Sequence, residues 1–484
     1  MDLRFHIIPL LILLGIPIVF GNGNGKVFHV HHKFAGKERS LSAFKQHDNL
    51  RHGRNLANVD FPLGGSGSAV GAGLYFTKIG IGTPSKDYYV QVDTGSDIFW
   101  VNCIQCKRCP RKSGLGIELT LYDPNASTTS KLVSCSDDFC TATQTEQEPI
   151  PGCQPELLCE YSVQYGDGST SLGYFVKDFL KFDRVAGNFV TSSANTSVVF
   201  GCGAKQSGDL GSTNEALDGL LGFGQSNTSI ISQLASSGKV KKMFAHCLDG
   251  VNGGGIFAIG QVVQPKVNTT PLIPNMLHYN VNLTKIEVGN ITLRLPTNVF
   301  GTGEKKGTII DSGTTLAYFP DVVYQPLVKK ILSNLSDSKV YNVEGQFTCF
   351  SYSESVDSGF PNVTLHFENS LRLLVHPHEY LFHYRDNIWC LGFQNSALQS
   401  KDTKDTTLLG DLVLSNKLVL YDLENQVVGW TEYNCSSSIK LQEEKSGTVH
   451  LVGSHNISSS TSLHMGRWCI PLLLLVTLLL SLIR

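Results

Sequence analysis

The chain has 484 residues, with 39 basic and 41 acidic side chains and a formal net charge of −2 at pH 7. With 41% hydrophobic and 17% charged residues, the composition excludes both a disordered chain and a strongly basic nucleic-acid-binding protein. The 47 glycines, 16 tyrosines and 25 phenylalanines favour a mostly β protein with many turns and exclude a long helical bundle.

Two segments precede the predicted core. Residues 1–23 place Arg4 ahead of an apolar run that ends in glycines and asparagines, which is typical of a secretory signal peptide. Residues 24–70 hold seven basic and three acidic side chains, so a basic leader precedes an acidic body. We expect an electrostatically docked prosegment, with a poorly ordered extension as the alternative. The string Phe28–His32 could bind metal, but its alternation is more typical of a short strand, so we predict no metal site.

From residue 71 to residue 434, short apolar or alternating runs are separated by Gly/Pro/Asn/Ser clusters, which predicts strands and turns. The predicted strands include Tyr75–Ile81, Tyr88–Val92, Thr308–Ile310 and Lys417–Tyr421. Helical patterns are sparse, and the better candidates are Ile230–Ser236 and Val322–Leu335.

An internal repeat divides this region. Residues 92–96 read Val-Asp-Thr-Gly-Ser and residues 310–314 read Ile-Asp-Ser-Gly-Thr, and each copy is followed downstream by Leu-Leu-Gly, at 220–222 and 408–410. One such string could be an ordinary turn. Two copies in the same context predict two copies of one architecture, an N-terminal lobe over 71–265 and a C-terminal lobe over 266–435.

The duplicated motif resembles that of the pepsin-like aspartic proteases, and the resemblance covers roughly residues 73–433. Finer marks resemble the plant nepenthesin-like branch: Gly73–Phe76 with Gly80–Pro84, Asp97 directly after Ser96, and a cysteine-rich insertion from Cys103 to Cys159. The resemblance implies a mostly β, bilobal fold of two homologous lobes, with the active-site cleft between them.

The resemblance also implies the site residues. The catalytic pair is Asp93 and Asp311, one from each lobe. Gly95 lets the first loop turn sharply, and the hydroxyl of Ser96 supports the first aspartate. Trp100 supports the flap, which carries Tyr165 and the following Gly166. Gly313 and Thr314 are the corresponding glycine and hydroxyl of the second loop.

Two neighbouring carboxyl groups cannot both ionise cheaply, so they share a proton. The ionised member can take a proton from water while the protonated member donates to a peptide carbonyl. This chemistry requires no cofactor and no metal. Gln91 and Asp167 depart from the usual pattern and are expected to make the cleft more polar.

Thirteen cysteines behind a signal peptide indicate an oxidising compartment, and twelve of them lie between Cys103 and Cys435. The spacing of Cys103, Cys106 and Cys109 could suit zinc, but disulfides are favoured because no histidine lies at matching spacing. The family resemblance implies a bridge from Cys349 to Cys390. Ten glycosylation sequons fit the secretory route: Asn125, Asn195, Asn227, Asn268, Asn282, Asn290, Asn334, Asn362, Asn434 and Asn456.

The C-terminal segment predicts a lipid anchor. Residues 436–467 form a polar, serine-rich stalk and spacer, and residues 468–484 form an apolar tail. Small residues, a polar spacer and such a tail make up a GPI-attachment signal, with Ser458 as the attachment site and Ser459 or Ser460 as alternatives. A membrane-spanning anchor is the rival, but the apolar run Trp468–Ile483 would reach only about 24 Å as a helix.

These observations predict a secreted aspartic endopeptidase, made as a zymogen and held by a lipid anchor on the outer leaflet of the plasma membrane. We expect a monomer that acts on protein or peptide substrates and does not bind nucleic acid. The alternative is a catalytically silent homologue that acts as a binding or inhibitor protein. A structural surface glycoprotein would require the repeat to be accidental.

Overall fold

The computed structural model describes residues 56–65, 74–146, 153–296, 299–301, 307–335, 340–343, 345–398 and 404–457. The predicted signal peptide, most of the leader, the tail 468–484 and the proposed attachment serines Ser458, Ser459 and Ser460 lie outside these ranges. Within them, no helix combines the length and the apolar character needed to cross a bilayer.

The first half of the described chain contains thirteen strands and two helices. The strands are β1 Val59–Asp60, β2 Leu63–Gly65, β3 Tyr75–Ile81, β4 Lys86–Asp93, β5 Trp100–Lys107, β6 Lys131–Leu132, β7 Glu160–Gln164, β8 Thr170–Gly187, β9 Val190–Ser207, β10 Gly219–Gly222, β11 Met243–Leu248, β12 Gly255–Ile259 and β13 Gln261–Gln264. The helices are α1 Asp138–Glu146 and α2 Ile230–Ser236.

The second half of the described chain adds eighteen strands and three helices. The strands are β14 Asn268–Pro271, β15 Asn280–Val281, β16 Leu283–Val288, β17 Ile291–Thr292, β18 Gly307–Ile310, β19 Ala317–Phe319, β20 Val340–Val343, β21 Phe347–Ser351, β22 Val363–Phe367, β23 Arg372–Val375, β24 Leu381–Arg385, β25 Ile388–Leu391, β26 Phe393–Asn395, β27 Thr406–Leu409, β28 Lys417–Asp422, β29 Val427–Glu432, β30 Ser438–Gln442 and β31 Val449–Gly453. The helices are α3 Asp321–Ile331, α4 Val356–Gly359 and α5 Asp411–Leu414.

One large sheet and one small sheet combine strands from both halves of the chain, and three further sheets belong to the second half alone. The large sheet runs β14-β29-β28-β11-β12-β1-β8-β9-β5-β10-β4-β3-β2, so β28 from the second half pairs with β11 from the first half. The second half also forms the sheets β15-β18-β27-β19-β26, β17-β16-β22-β23 and β20-β21-β25-β24. The predicted mostly β, two-lobed fold is confirmed.

The sequence repeat is a structural repeat. In the first lobe β10, which contains Leu-Leu-Gly, runs parallel to β4 and antiparallel to β5. In the second lobe β27 runs parallel to β18 and antiparallel to β19 in the same way. One apolar residue in each of β4, β10, β18 and β27 is buried: Val92, Leu221, Ile310 and Leu409. Each aspartate therefore emerges from the end of a strand that is hydrogen-bonded to a Leu-Leu-Gly strand within an apolar core.

The folded part extends beyond the predicted boundaries at both ends. Within the predicted prosegment, β1 pairs with both β8 and β12. Within the predicted stalk, β30 pairs with β13 and β31. In β30 the alternating residues Ile439 and Leu441 are buried, because the segment Ser-Ile-Lys-Leu-Gln has the two-residue period of a strand. A polar stalk therefore does not begin at residue 436.

Six disulfides use the twelve cysteines between Cys103 and Cys435: Cys103–Cys202, Cys106–Cys109, Cys135–Cys153, Cys140–Cys159, Cys247–Cys435 and Cys349–Cys390. Cys349 and Cys390 face each other across β21 and β25, in agreement with the pairing implied by the resemblance. The Sγ atoms of Cys135, Cys140 and Cys153 lie within 4.8 Å of one another, but all three are engaged in disulfides and so are not thiolate ligands.

Candidate active site

The two aspartate loops meet between the lobes and hold each other in place. The backbone N–H of Thr94 donates to the carbonyl of Ser312 at 2.9 Å. In return, the N–H of Ser312 donates to Oγ1 of Thr94 at 2.8 Å. Because these residues directly follow Asp93 and Asp311, the reciprocal bonds fix the two carboxyl groups side by side.

Each carboxylate accepts hydrogen bonds from its own loop. Asp93 accepts from the N–H of Gly95 at 2.8 Å and from Oγ of Ser96 at 2.5 Å. Asp311 accepts from Oγ1 of Thr314 at 2.7 Å. The structure thus gives Ser96 and Thr314 the positions that the sequence predicted.

The glycines of the two loops allow this close approach. A Cβ atom added at Gly95 would lie 2.5 Å from Oδ1 of Asp311, and one added at Gly313 would clash with Oδ1 of Asp93. Any side chain at either position would therefore push the two carboxyl groups apart.

Burial sets the electrostatics of the pair. Asp93 is 7% exposed and Asp311 is 6% exposed. Burial raises the pKa of both carboxyls above their ordinary range, and for Asp93 the charge of Asp311 raises it further. Hydrogen bonds from Ser96 and Thr314 oppose the rise without cancelling it. One proton is therefore retained by the pair over an acidic pH range.

A third buried carboxyl lies beside the pair and was missed in the sequence analysis. Asp411, 4% exposed, begins α5, and its N–H donates to the carbonyl of Thr314 at 2.7 Å. Burial, followed by the charge of Asp311, raises its pKa well above the ordinary value. Aligning the repeats would have revealed it, since Leu-Leu-Gly is followed by Phe223 in the first lobe and by Asp411 in the second.

The flap is the hairpin between β7 and β8. Nε1 of Trp100 donates to the hydroxyl of Tyr165 at 2.7 Å, so the predicted tyrosine–tryptophan pair is present. The turn is closed by the N–H of Tyr165 donating to the carbonyl of Ser169 at 2.9 Å. Gly168 has φ of +83°, a conformation that glycine adopts without strain. A Cβ at Gly166 would meet no heavy atom within 4 Å, so the tip is open to a ligand.

A cavity of about 450 Å³ lies next to the pair, beneath the flap. Its lining includes Gln91, Trp100, Asp167, Leu220 and Gly313. Nε2 of Gln91 donates to the carbonyl of Gly313 at 3.1 Å and so bridges the two lobes. The two departures noted in the sequence, Gln91 and Asp167, both line this cavity.

Most predicted glycosylation sites lie on the surface. The exposed ones are Asn125, Asn195, Asn227, Asn268, Asn290, Asn362, Asn434 and Asn456. Asn282 is half-buried, and the side chain of Asn334 lies outside the described part. Occupancy of these sites stays a prediction.

Two family models match the chain, one described as Xylanase inhibitor N-terminal over residues 75–261 and one as Xylanase inhibitor C-terminal over residues 278–432. Aspartic proteinase 36 of Arabidopsis thaliana is 52% identical over 468 residues, covering 97% of this chain and 95% of the relative. Aspartic proteinase 39 of the same plant is 49% identical over 483 residues, covering 100% and 98%. Aspartic proteinase nepenthesin-1 of Nepenthes gracilis is 27% identical, covering 84% and 90%.

Solved structures share the fold at low identity. The crystal structure of edgp matches with a TM-score of 0.62 and 18% identity, covering 78% of this chain and 95% of that chain. Basic 7S globulin from soybean matches with a TM-score of 0.60 and 21% identity, covering 78% and 96%.

Proposed function

The chain belongs to the plant pepsin-like aspartic proteinases, and on that premise we propose that it is an endopeptidase that hydrolyses peptide bonds with water activated between Asp93 and Asp311. The observation that carries the proposal is the pair itself. Two buried carboxyls are fixed by reciprocal bonds between Thr94 and Ser312, and the pKa of both is raised by burial.

The proposed reaction uses the single proton of the pair. The ionised carboxyl takes a proton from a water molecule while the oxygen of that water attacks the peptide carbonyl carbon. The protonated carboxyl donates to the carbonyl oxygen, which gives a tetrahedral diol. The C–N bond then breaks: the departing amine takes the proton that came from the water, and one diol hydroxyl returns its proton to the carboxylate that had acted as the acid. This releases a carboxylic acid and an amine and restores the half-protonated pair. Tyr165, held by Trp100, would close over the peptide and exclude bulk water.

This mechanism requires a half-protonated pair, so activity is expected at acidic pH. At high pH both carboxyls ionise and the donor to the carbonyl oxygen is lost. At very low pH both are protonated and the base is lost. A bell-shaped pH profile follows.

We further propose that the chain is made as a secreted zymogen and is held on the outer leaflet by a lipid anchor at Ser458. The support is sequence-based: an apolar leader, a basic segment ahead of an acidic body, and a small–polar–apolar C-terminus. Six disulfides within the described residues fit an oxidising route.

The descriptions of the two family models suggest a second candidate, a catalytically silent homologue that inhibits another enzyme. Such a protein has no need of a catalytic pair or a flap tyrosine. Here Asp93, Asp311 and Tyr165 are all present and make the hydrogen bonds described above, which supports the peptidase proposal.

Incubating the processed protein, purified from plant cells that express the full-length chain, with a peptide library between pH 3 and pH 7 tests the proposal. We expect cleavage at acidic pH that a transition-state-mimicking aspartic-protease inhibitor abolishes. Processed protein that binds the inhibitor but cleaves no peptide at any pH would support the silent homologue instead.

A further inference from the structure

A second and larger cavity lies on the cysteine-rich side of the cleft. Its volume is about 770 Å³, and its walls come from residues 108–112 after β5 and from residues 206–208 and 211–213 at and after the end of β9. The N–H of Gly114 donates to the carbonyl of Thr213 at 2.8 Å and links the two walls.

The lining of this cavity is cationic. Arg108, Arg111 and Lys112 all line it and are exposed, and no carboxylate is among its lining residues. Within the described part of the chain, none of these three side chains takes part in an ion pair. Three unneutralised cations in a chain with net charge −2 create a local positive potential that favours an anionic ligand.

The cationic wall is held in shape before any ligand arrives. The Cys106–Cys109 disulfide closes the turn that carries Arg108. Arg108 has φ of +64°, a conformation that a non-glycine residue keeps only when its surroundings fix it. A Cβ at Gly211 would lie 3.2 Å from the carbonyl oxygen of Arg108, so the opposite wall packs closely. A preformed site reduces the ordering cost of binding.

The basic cavity adjoins the cavity of the cleft. Ser212 lines both this cavity and the smaller one that contains Trp100 and Gly313. An extended peptide that lies across the catalytic pair and leaves through the smaller cavity would therefore reach the cationic wall.

The smaller cavity, which belongs to the cleft, has the opposite charge to the basic cavity. Asp167, Asp209 and Glu215 line it, and no lysine or arginine does. Burial and the charge of Asp209 raise the pKa of Glu215. An acidic substrate residue would be repelled in the cleft cavity and attracted in the neighbouring basic cavity.

We propose that the basic cavity binds an acidic segment of the polypeptide substrate and so selects substrates whose acidic residues lie beyond those that fill the cleft. The inference rests on the proposed peptidase function and names a substrate class for it. Because the basic cavity adjoins the proposed peptide cleft at Ser212, a polypeptide is favoured over an anionic polysaccharide as the occupant.

Charge-scanned peptides test the proposal. A quenched fluorescent peptide with one cleavable core carries three Asp, three Gln or three Lys residues, placed at increasing distances on either side of the cleaved bond. Cleavage by the processed protein is measured at pH 5.5, where Asp is ionised. We expect kcat/KM for the best Asp-flanked peptide to exceed that of its Lys-flanked counterpart about tenfold at low salt, and the ratio to shrink in 0.5 M NaCl.

The variant R111E/K112E reverses two of the cavity charges and should remove or invert this preference while the Gln-flanked peptide is cleaved as before. The matched control K131E/K239E makes the same change in charge at exposed lysines that line neither cavity. It should keep the preference.

The outcomes distinguish a failure of this inference from a failure of the proposed peptidase function. If no peptide is cleaved, the proposed function fails. If all flanks are cleaved equally, or if R111E/K112E and the control behave alike, the peptidase stands and the acidic-segment proposal is overturned. If R111E/K112E loses binding of oligogalacturonate but keeps the Asp preference, the cavity is a polysaccharide site and the proposal is wrong.

Discussion

Three buried carboxyl groups meet at one point of the structure, and their surroundings assign them different tasks. Asp93 ends β4, Asp311 directly follows β18, and each accepts a hydroxyl hydrogen bond. Asp411 lies behind them at the start of α5, and its Oδ1 has no hydrogen-bond partner among the described residues. Asp93 and Asp311 are therefore the proposed catalytic carboxyls, and Asp411 begins the helix beside them.

Asp411→Asn should be tolerated, because the raised pKa keeps the Asp411 carboxyl neutral at acidic pH and the amide has the same charge and shape. We expect kcat at pH 4–5 within about threefold of wild type, corresponding to less than 1 kcal/mol. Steady-state kinetics across the pH range, with melting temperatures as the folding control, check this. A hundredfold loss with unchanged melting would mean that the Asp411 carboxyl itself takes part in catalysis.

Tyr165→Phe removes the hydroxyl that accepts from Nε1 of Trp100 at 2.7 Å and leaves the ring in place. A neutral hydrogen bond contributes about 0.5–1.5 kcal/mol, so we expect kcat/KM to fall about three- to tenfold. Tyr165→Ala also removes the ring that covers the substrate and should lose more. Equal activity of wild type and both variants would contradict a role for the flap tyrosine.

At this scale the sequence was most informative where a motif was repeated. The aspartates, their hydroxyl partners and their glycines could be predicted because two copies of one short string confirm each other. Asp411 stands out only when the two repeats are aligned, because a single aspartate after Leu-Leu-Gly otherwise looks like an ordinary helix start. The cationic cavity was missed because Arg111 and Ser212 lie far apart in the chain and are joined only by the fold.

Strands and short helices carry the site, and their patterns differ in how much they reveal. The predicted strand at Tyr75–Ile81 and the predicted helix at Ile230–Ser236 have the bounds found in the structure. Helix α3 was predicted to run to Leu335 but ends at Ile331, where the chain continues as a 3-10 turn from Leu332 to Asn334. Register and disulfide pairing depend on long-range contacts that no local pattern specifies.

One buried ion pair joins two elements of the second lobe. Nζ of Lys417, at the start of β28, lies 2.6 Å from Oε1 of Glu379, with side-chain exposures of 1% and 3%. Oε2 of Glu379 also accepts from the N–H of His376 at 2.9 Å. The pair therefore ties the turn before β24 to the strand that enters the large sheet.

Glu379→Gln should destabilise the fold by about 3–5 kcal/mol, because it leaves the Lys417 ammonium buried without a counter-charge. The double variant E379L/K417M removes both charges and should recover most of that loss. Urea unfolding followed by fluorescence measures both. A loss below about 1 kcal/mol in the single variant would show that water reaches the ammonium in solution.

The two ends of the described chain meet at a histidine–carboxylate contact. Nε2 of His455 lies 2.9 Å from Oδ2 of Asp60 on β1. The hydrogen bond that Nε2 of His455 donates to the Asp60 carboxylate raises the pKa of His455. The last described segment thereby holds the first strand in the large sheet.

This contact should make stability depend on pH. Because the folded pKa of His455 is raised, the native state binds the proton more tightly than the unfolded chain. The stabilisation is present below the unfolded pKa of about 6.5 and is lost as pH rises through the folded pKa. His455→Gln should therefore lower the melting temperature at pH 5.5 but not at pH 8.5.

The measurement is thermal unfolding of wild type and His455→Gln between pH 5 and pH 8.5, on protein shown by mass spectrometry to retain Asp60. A difference between the two that does not change with pH would mean that the contact is a neutral hydrogen bond rather than a titrating pair.

Each lobe supplies one aspartate of the proposed catalytic pair. The measurement that tests this most directly compares single-turnover peptide hydrolysis at acidic pH by wild type, Asp93→Asn and Asp311→Asn. Each amide keeps the shape of the site but cannot ionise, so the pair no longer has one carboxylate as base and one carboxyl as acid. We expect each variant to lose at least about 100-fold in rate with an unchanged melting temperature. Either variant retaining more than a few per cent of wild-type turnover would contradict water activation between the two aspartates.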